Sequence, residues 1–101
     1  MEYDIENDDA PNLKFEGELL AIASSYKPGS ERWTVLELYK TEKGKFYVCV
    51  EVGKTMIEGE HQRQKAIFVS DLAEVRDYFG YGWLAKNLYR GADIEGSITV
   101  E

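Results

Sequence analysis

RWTVLELYKTEKGKFYVCVEV, residues 32–52, is the stretch on which the fold class turns. Its first nine residues are rich in β-branched and aromatic side chains, as strands prefer. They alternate, with Trp33, Val35, Glu37 and Tyr39 on one side and Thr34, Leu36 and Leu38 on the other. TEKGK then forms a short loop, with Gly44 where a hairpin needs a positive φ. KFYVCVEV returns as a second strand. Phe46, Val48, Val50 and Val52 share one face, and Tyr47, Cys49 and Glu51 the other. This is an antiparallel hairpin.

Upstream, Leu13, Phe15, Gly17, Leu19, Ala21 and Ala23 are expected on one face of a strand, with Lys14, Glu16 and Glu18 opposite. Leu20 and Ile22 interrupt the polar face, so the second half of that strand is expected to be covered on both sides. SSYKPGSE turns the chain through Pro28-Gly29. Residues 1–11 read as a disordered acidic arm bounded by Pro11, leaving 12–101 as a single domain. Downstream, Gly53 is expected to end its strand or make a bulge. An apolar pair (Met56, Ile57) and a polar loop around Gly59 lead to a further strand near Lys65–Val69.

The period then changes from two to that of a helix. Asp71 is placed to cap a helix, and Glu74 three residues on completes a capping box. Leu72, Val75 and Phe79 follow on one helical face, and Gly80 stands where a helix stops. A second helix fits Trp83 to Arg90, with Leu84 and Leu88 on one side and Gly91 as another glycine stop. The tail IEGSITVE alternates Ile98 with Val100 and is expected to form a last strand. The predicted fold is α+β: a four- or five-stranded antiparallel meander with two short helices packed on one face.

A chain of 101 residues is one domain able to bury roughly two-thirds of its unfolded surface. One cysteine leaves no internal disulfide and fits a reducing compartment. The opening MEYDIENDDAPN lacks the apolar stretch of a signal peptide, and no run approaches the roughly 18 apolar residues of a membrane span. The expectation is a cytoplasmic monomer or small homo-oligomer with no membrane partner. The net charge of −7 is unevenly spread. Residues 1–18 carry seven acids against one base, a balance of −6, while the other 83 carry twelve acids against eleven bases. An acidic segment on a near-neutral body is read first as a solvated tail.

Candidate chemistry is sparse. His61, alone in GEHQRQ, lacks the three or four ligands a defined metal site wants, and reads as a surface residue. Cys49 sits between Val48 and Val50 and reads as a small apolar strand residue. Glu37 and Glu51 interrupt apolar faces of adjacent strands. Facing each other, they would raise one another's pKa as a carboxylate enzyme requires; the plainer reading is that each meets solvent or a cross-strand base. No cofactor motif is present, and no metal or catalytic residue is assigned. In DYFGYGWLAKNLY (77–89), Gly80 and Gly82 flank Tyr81 without the spacing of any phosphate-binding loop. A DNA-reading helix pair would have only Lys86 and Arg90 on its second helix in an acidic chain, so direct nucleic-acid binding is not expected. Tyr81, Trp83 and Tyr89 are more aromatic bulk than a turn needs, and exposed aromatics mark protein contacts.

RWTVLELYKTEKGKFYVCVEVGKT (32–55) and VRDYFGYGWLAKNLY (75–89) resemble a group of small uncharacterised bacterial proteins, some encoded on plasmids and other mobile elements. The resemblance rests on an RWT–LELY hairpin followed by an FFG-G-LAK-LY helix pair, and covers about 40 residues. It implies a bacterial or phage accessory protein and carries no activity or residue role. The expected function is a non-enzymatic protein-binding module, an inhibitor of host defence of the anti-CRISPR or anti-restriction type. It would contact a nucleic-acid-binding complex through partial nucleic-acid mimicry. Asp4, Glu6, Asp8, Asp9, Glu16 and Glu18 are the candidate acids and Tyr81, Trp83 and Tyr89 the candidate anchors. The alternatives are a small carboxylate hydrolase or isomerase using Glu37 and Glu51, and a helix–turn–helix-like regulator.

Overall fold

The structure, a computed structural model, describes residues 1–94. Five strands, β1 (Glu2–Ile5), β2 (Leu13–Ser24), β3 (Arg32–Thr41), β4 (Tyr47–Thr55) and β5 (Arg63–Val69), precede two helices, α1 (Leu72–Phe79) and α2 (Trp83–Gly91). Neighbours in sequence are neighbours in the sheet, and every pair is antiparallel. The α+β meander with two helices on one face is the architecture read from the hairpin and the change of period. Except for Ile94, the strand expected in the tail lies outside the described residues.

Residues 1–11 are not a disordered arm. Tyr3 and Ile5 alternate with Glu2 and Asp4, and β1 pairs Tyr3 with Phe15 and Ile5 with Leu13. The apolar pair turns inward: Ile5 is only 8% exposed, and the Tyr3 ring lies 4.7 Å from that of Tyr39. Burial of these two side chains on a sheet face explains why so acidic a segment is held. Beyond Ile5 the chain crosses to β5. The Asp8 amide donates to the Gln64 carbonyl at 3.0 Å, and the Asn7 side chain donates to the Ala66 carbonyl at 2.7 Å. The two ends of the meander are thereby tied together, and the sheet is curled around an inner face.

The long strand β2 makes the curl possible. Its first residues pair with β1, and from Gly17 onward it pairs with β3. At Gly17 a β-carbon would lie 2.3 Å from the Lys40 carbonyl oxygen, so only glycine fits. The register then shifts between Leu19 and Ala21. Leu13 and Phe15 pack inward, whereas Ala21 and Ala23 face the helices. The single face expected for these residues is therefore split by a bulge, which adds one residue to β2 and exchanges its sides. Gly53, expected to end or bulge its strand, lies inside β4 paired with both Thr34 and Arg63.

Two cores result. Ile5, Val35, Tyr39, Val48, Val50, Val52 and Ala66 fill the inside of the curl. On the other face Leu36, Leu38 and Cys49 meet Val75 of α1 and Ala85, Leu88 and Tyr89 of α2. The start of α1 follows its cap signals: the Glu74 amide donates to the Asp71 carboxylate at 2.9 Å. The Glu74 carboxylate reaches one residue further back, accepting from the Ser70 amide at 2.7 Å. Gly91, expected as a stop, is the last residue of α2, where its missing β-carbon lets the helix approach Ala21. Asp93, at φ 58°, takes the left-handed position instead.

Candidate protein-contact surface

Between α1 and α2 stand only Gly80, Tyr81 and Gly82. Gly80 ends α1 at φ 78° and its amide donates to the Arg76 carbonyl at 2.7 Å. From the facing side of α2, the Tyr89 hydroxyl donates to the Gly80 carbonyl at 2.6 Å. Tyr89 is 1% exposed, and burial pushes its phenol up to about 12. It is a core residue, so the expectation that it serves as a contact anchor is corrected. The other two aromatics face outward, Tyr81 at 45% and Trp83 at 59% exposure. The Tyr81 ring leans on Tyr89 at 6.5 Å between centroids, which gives it a fixed back wall. Trp83 shares the solvent side of α2 with Lys86, Asn87 and Arg90, and the Arg90 guanidinium donates to the Asn87 side chain at 2.7 Å.

The candidate acids fall into two groups. Strand pairing sets Glu2 opposite Glu16, Asp4 opposite Lys14, and Glu18 opposite Lys40, on the outer side of the β1–β2 ribbon. Four exposed acids and two lysines therefore share one strip. Glu6, Asp8 and Asp9 lie on the crossing segment. Asp8 has a structural task there, its carboxylate accepting from the Gln64 amide at 2.8 Å. Glu2 was missed as a member of the strip, although its spacing of two from Asp4 carries the signal.

The other candidates separate. Glu37 stands opposite Val50 and Glu51 opposite Leu36, so the two carboxylates project from opposite faces of the sheet. They cannot act on one substrate as a pair. Glu37 instead accepts from the Tyr39 hydroxyl at 2.7 Å, and burial together with this carboxylate raises the phenol's pKa. Cys49 is fully buried, and desolvation alone pushes its thiol up to about 12, far from the thiolate that nucleophilic or metal chemistry needs. His61 is exposed. Among the described residues, no three His, Cys, Asp or Glu side chains are grouped to hold a metal ion.

No protein-family profile matches this chain, and no match to it was found among curated proteins or solved structures.

Proposed function

We propose that this is a non-enzymatic protein-binding module, of the kind that mobile elements carry to inhibit host defence, anti-CRISPR and anti-restriction proteins included. The observation that carries the reading is the pair of exposed aromatics on either side of Gly82, backed by the buried Tyr89. Tyr81 and Trp83 present large apolar area with few rotatable bonds, on a turn held by its own hydrogen bonds, so little entropy is lost on docking. The acidic strip supports a partner that ordinarily binds nucleic acid. Same-face residues of a strand lie about 6.7 Å apart, so Glu2 with Asp4 and Glu16 with Glu18 form short lines of regularly spaced negative charge.

The test is recovery of partners from a nuclease-treated bacterial extract by the immobilised protein, its Tyr81→Ala/Trp83→Ala variant and its Glu16→Lys/Glu18→Lys variant. A nucleic-acid-binding protein is expected with the parent chain, at least about tenfold depleted with the aromatic variant. The acidic variant is expected to bind with a shallower salt dependence. Equal recovery by the parent and the aromatic variant overturns the reading.

A further inference from the structure

Each neighbour of β2 covers only part of its length. β1 lies along one edge as far as Gly17, whose amide donates to the Met1 carbonyl at 3.0 Å. β3 lies along the other edge, from Gly17 to Ser24. Beyond Gly17 the edge on the β1 side meets no further strand among the described residues. The Ser25 amide donates to the Thr34 carbonyl of β3 at 3.0 Å. By alternation Ala21 and Ala23 also turn their backbone groups to β3, while Ile22 and Ser24 turn theirs to the open edge.

Sheet proteins ordinarily guard such an edge with lysine, proline or an inward charge. Leu19 to Tyr26, LLAIASSY, carries neither a charge nor a proline. On one face of this run Ala21 and Ala23 are buried in the core shared with α2. On the other, Leu19 and Ile22 stand opposite Tyr39 and Glu37 and are 43% and 57% exposed. The bulge at Leu20 keeps these two residues, three apart in sequence, on the same side. A strand whose sequence reads as covered on both sides therefore has one side bare.

The charges that bound the run indicate what covers it. Glu18 precedes it and Lys27 follows it, both exposed. A run bounded by opposite charges is complementary to its own reverse. Antiparallel pairing with a second copy carries each Glu18 toward the other copy's Lys27, whereas parallel pairing sets like charges together.

We propose that a second copy of this chain occupies this edge, β2 lying antiparallel to β2 about a two-fold axis near Ile22, so that two five-stranded sheets become one. The two Ile22 side chains meet beside the axis, Leu19 lies outside them, and Glu18 with Lys27 closes each end. The interface does not depend on the role given to Tyr81 and Trp83.

The experiment is sedimentation equilibrium of the full chain over a concentration series, with amide exchange followed in parallel. A monomer–dimer equilibrium is expected, with exchange at Ile22 and Ser24 slowing as the dimer forms. Ile22→Lys, at an exposed position, is expected to weaken dimerisation at least about tenfold while keeping the thermal transition of the parent. Glu18→Lys and Lys27→Glu are each expected to weaken it about tenfold, and the double charge reversal to recover most of that loss. A double variant that associates no better than the single ones overturns the antiparallel alignment. A parent chain still monomeric at about 1 mM, the weak end of specific association, overturns the proposal, as does a dimer that Ile22→Lys leaves unchanged. A monomeric parent that dimerises once Ile98 and Val100 are changed to lysine would put the chain's own end on this edge, and overturns it as well.

Discussion

The Tyr89 hydroxyl and the Gly80 carbonyl, 2.6 Å apart, join the second helix to the end of the first. A polar atom at the tip of a buried ring has been given its partner, which satisfies the phenol and fixes the turn that displays Tyr81 and Trp83.

Tyr89→Phe keeps the ring and removes the bond. A loss of about 1 kcal/mol in urea unfolding is expected. Amide exchange at Tyr81 and Gly82 should also accelerate by more than the global loss accounts for. Exchange that rises uniformly over the chain would show that the bond serves the core as a whole rather than the turn.

Closure of the sheet by its first strand is tested at Ile5. Ile5→Ala should cost about 2–4 kcal/mol, as for other buried aliphatic truncations. Asp8→Ala, which frees the Gln64 amide, should cost about 1 kcal/mol. Removing residues 2–11 altogether takes away both the inner-face side chains and the tie to β5. The shortened chain is expected to lose its cooperative thermal transition. A shortened chain that melts like the parent would mean that β1 is dispensable.

The alternation that reads so plainly in Trp33–Tyr39 and Phe46–Val52 is legible because the two strands pair with each other in one unbroken register and each has a neighbour on both edges. In residues 13–23 the same alternation misleads, because a bulge at Leu20 exchanges the faces midway, and nothing in FEGELLAIA marks where the extra residue falls. Tyr3 and Ile5 carried a strand signal, but four residues among acids are outweighed by composition until their partners Phe15 and Leu13 are known. The caps of α1 are local chemistry and were readable. Gly91 was misjudged because its reason is a contact with Ala21, seventy residues away in the chain. Of the contact surface, the aromatic cluster was visible in DYFGYGWLAKNLY, but which ring turns inward depends on the hydrogen bond to Gly80.

Gly17→Ala is expected to be among the most damaging single-methyl additions. The new carbon meets backbone, the Lys40 carbonyl at 2.3 Å, and cannot be relieved by a side chain turning away. A loss of about 2 kcal/mol or more is expected in denaturant titration. The same change at Gly82, where a β-carbon meets nothing within 4 Å, should cost far less.

Glu60 provides a pH test. Its hydrogen bonds from Arg32 and Thr55, with the charges of Arg32 and Arg63, hold its pKa down at about 2. A depressed folded-state pKa means that the contribution is fully present above the unfolded value of about 4.3 and is lost as pH falls toward 2. The side-chain carboxyl signal of Glu60 should therefore titrate below the ordinary glutamate range. In Arg32→Ala it should move back toward the ordinary range. A Glu60 that titrates in the ordinary glutamate range in the parent chain would show that the pair does not persist in solution.

The tie between Asn7 and Ala66 spans 59 residues of sequence. Whatever order the hairpins form in, β1 precedes β5 in the chain and has no far edge to close against until β5 has been made. Non-local closure of this kind slows folding. In the interval, Tyr3 and Ile5 have only β2 to cover them, and the inner face stands open. The same joint is the natural place for the curled sheet to open again, so the rate at which residues 6–8 part from Gln64 and Ala66 sets how often that inner face meets water.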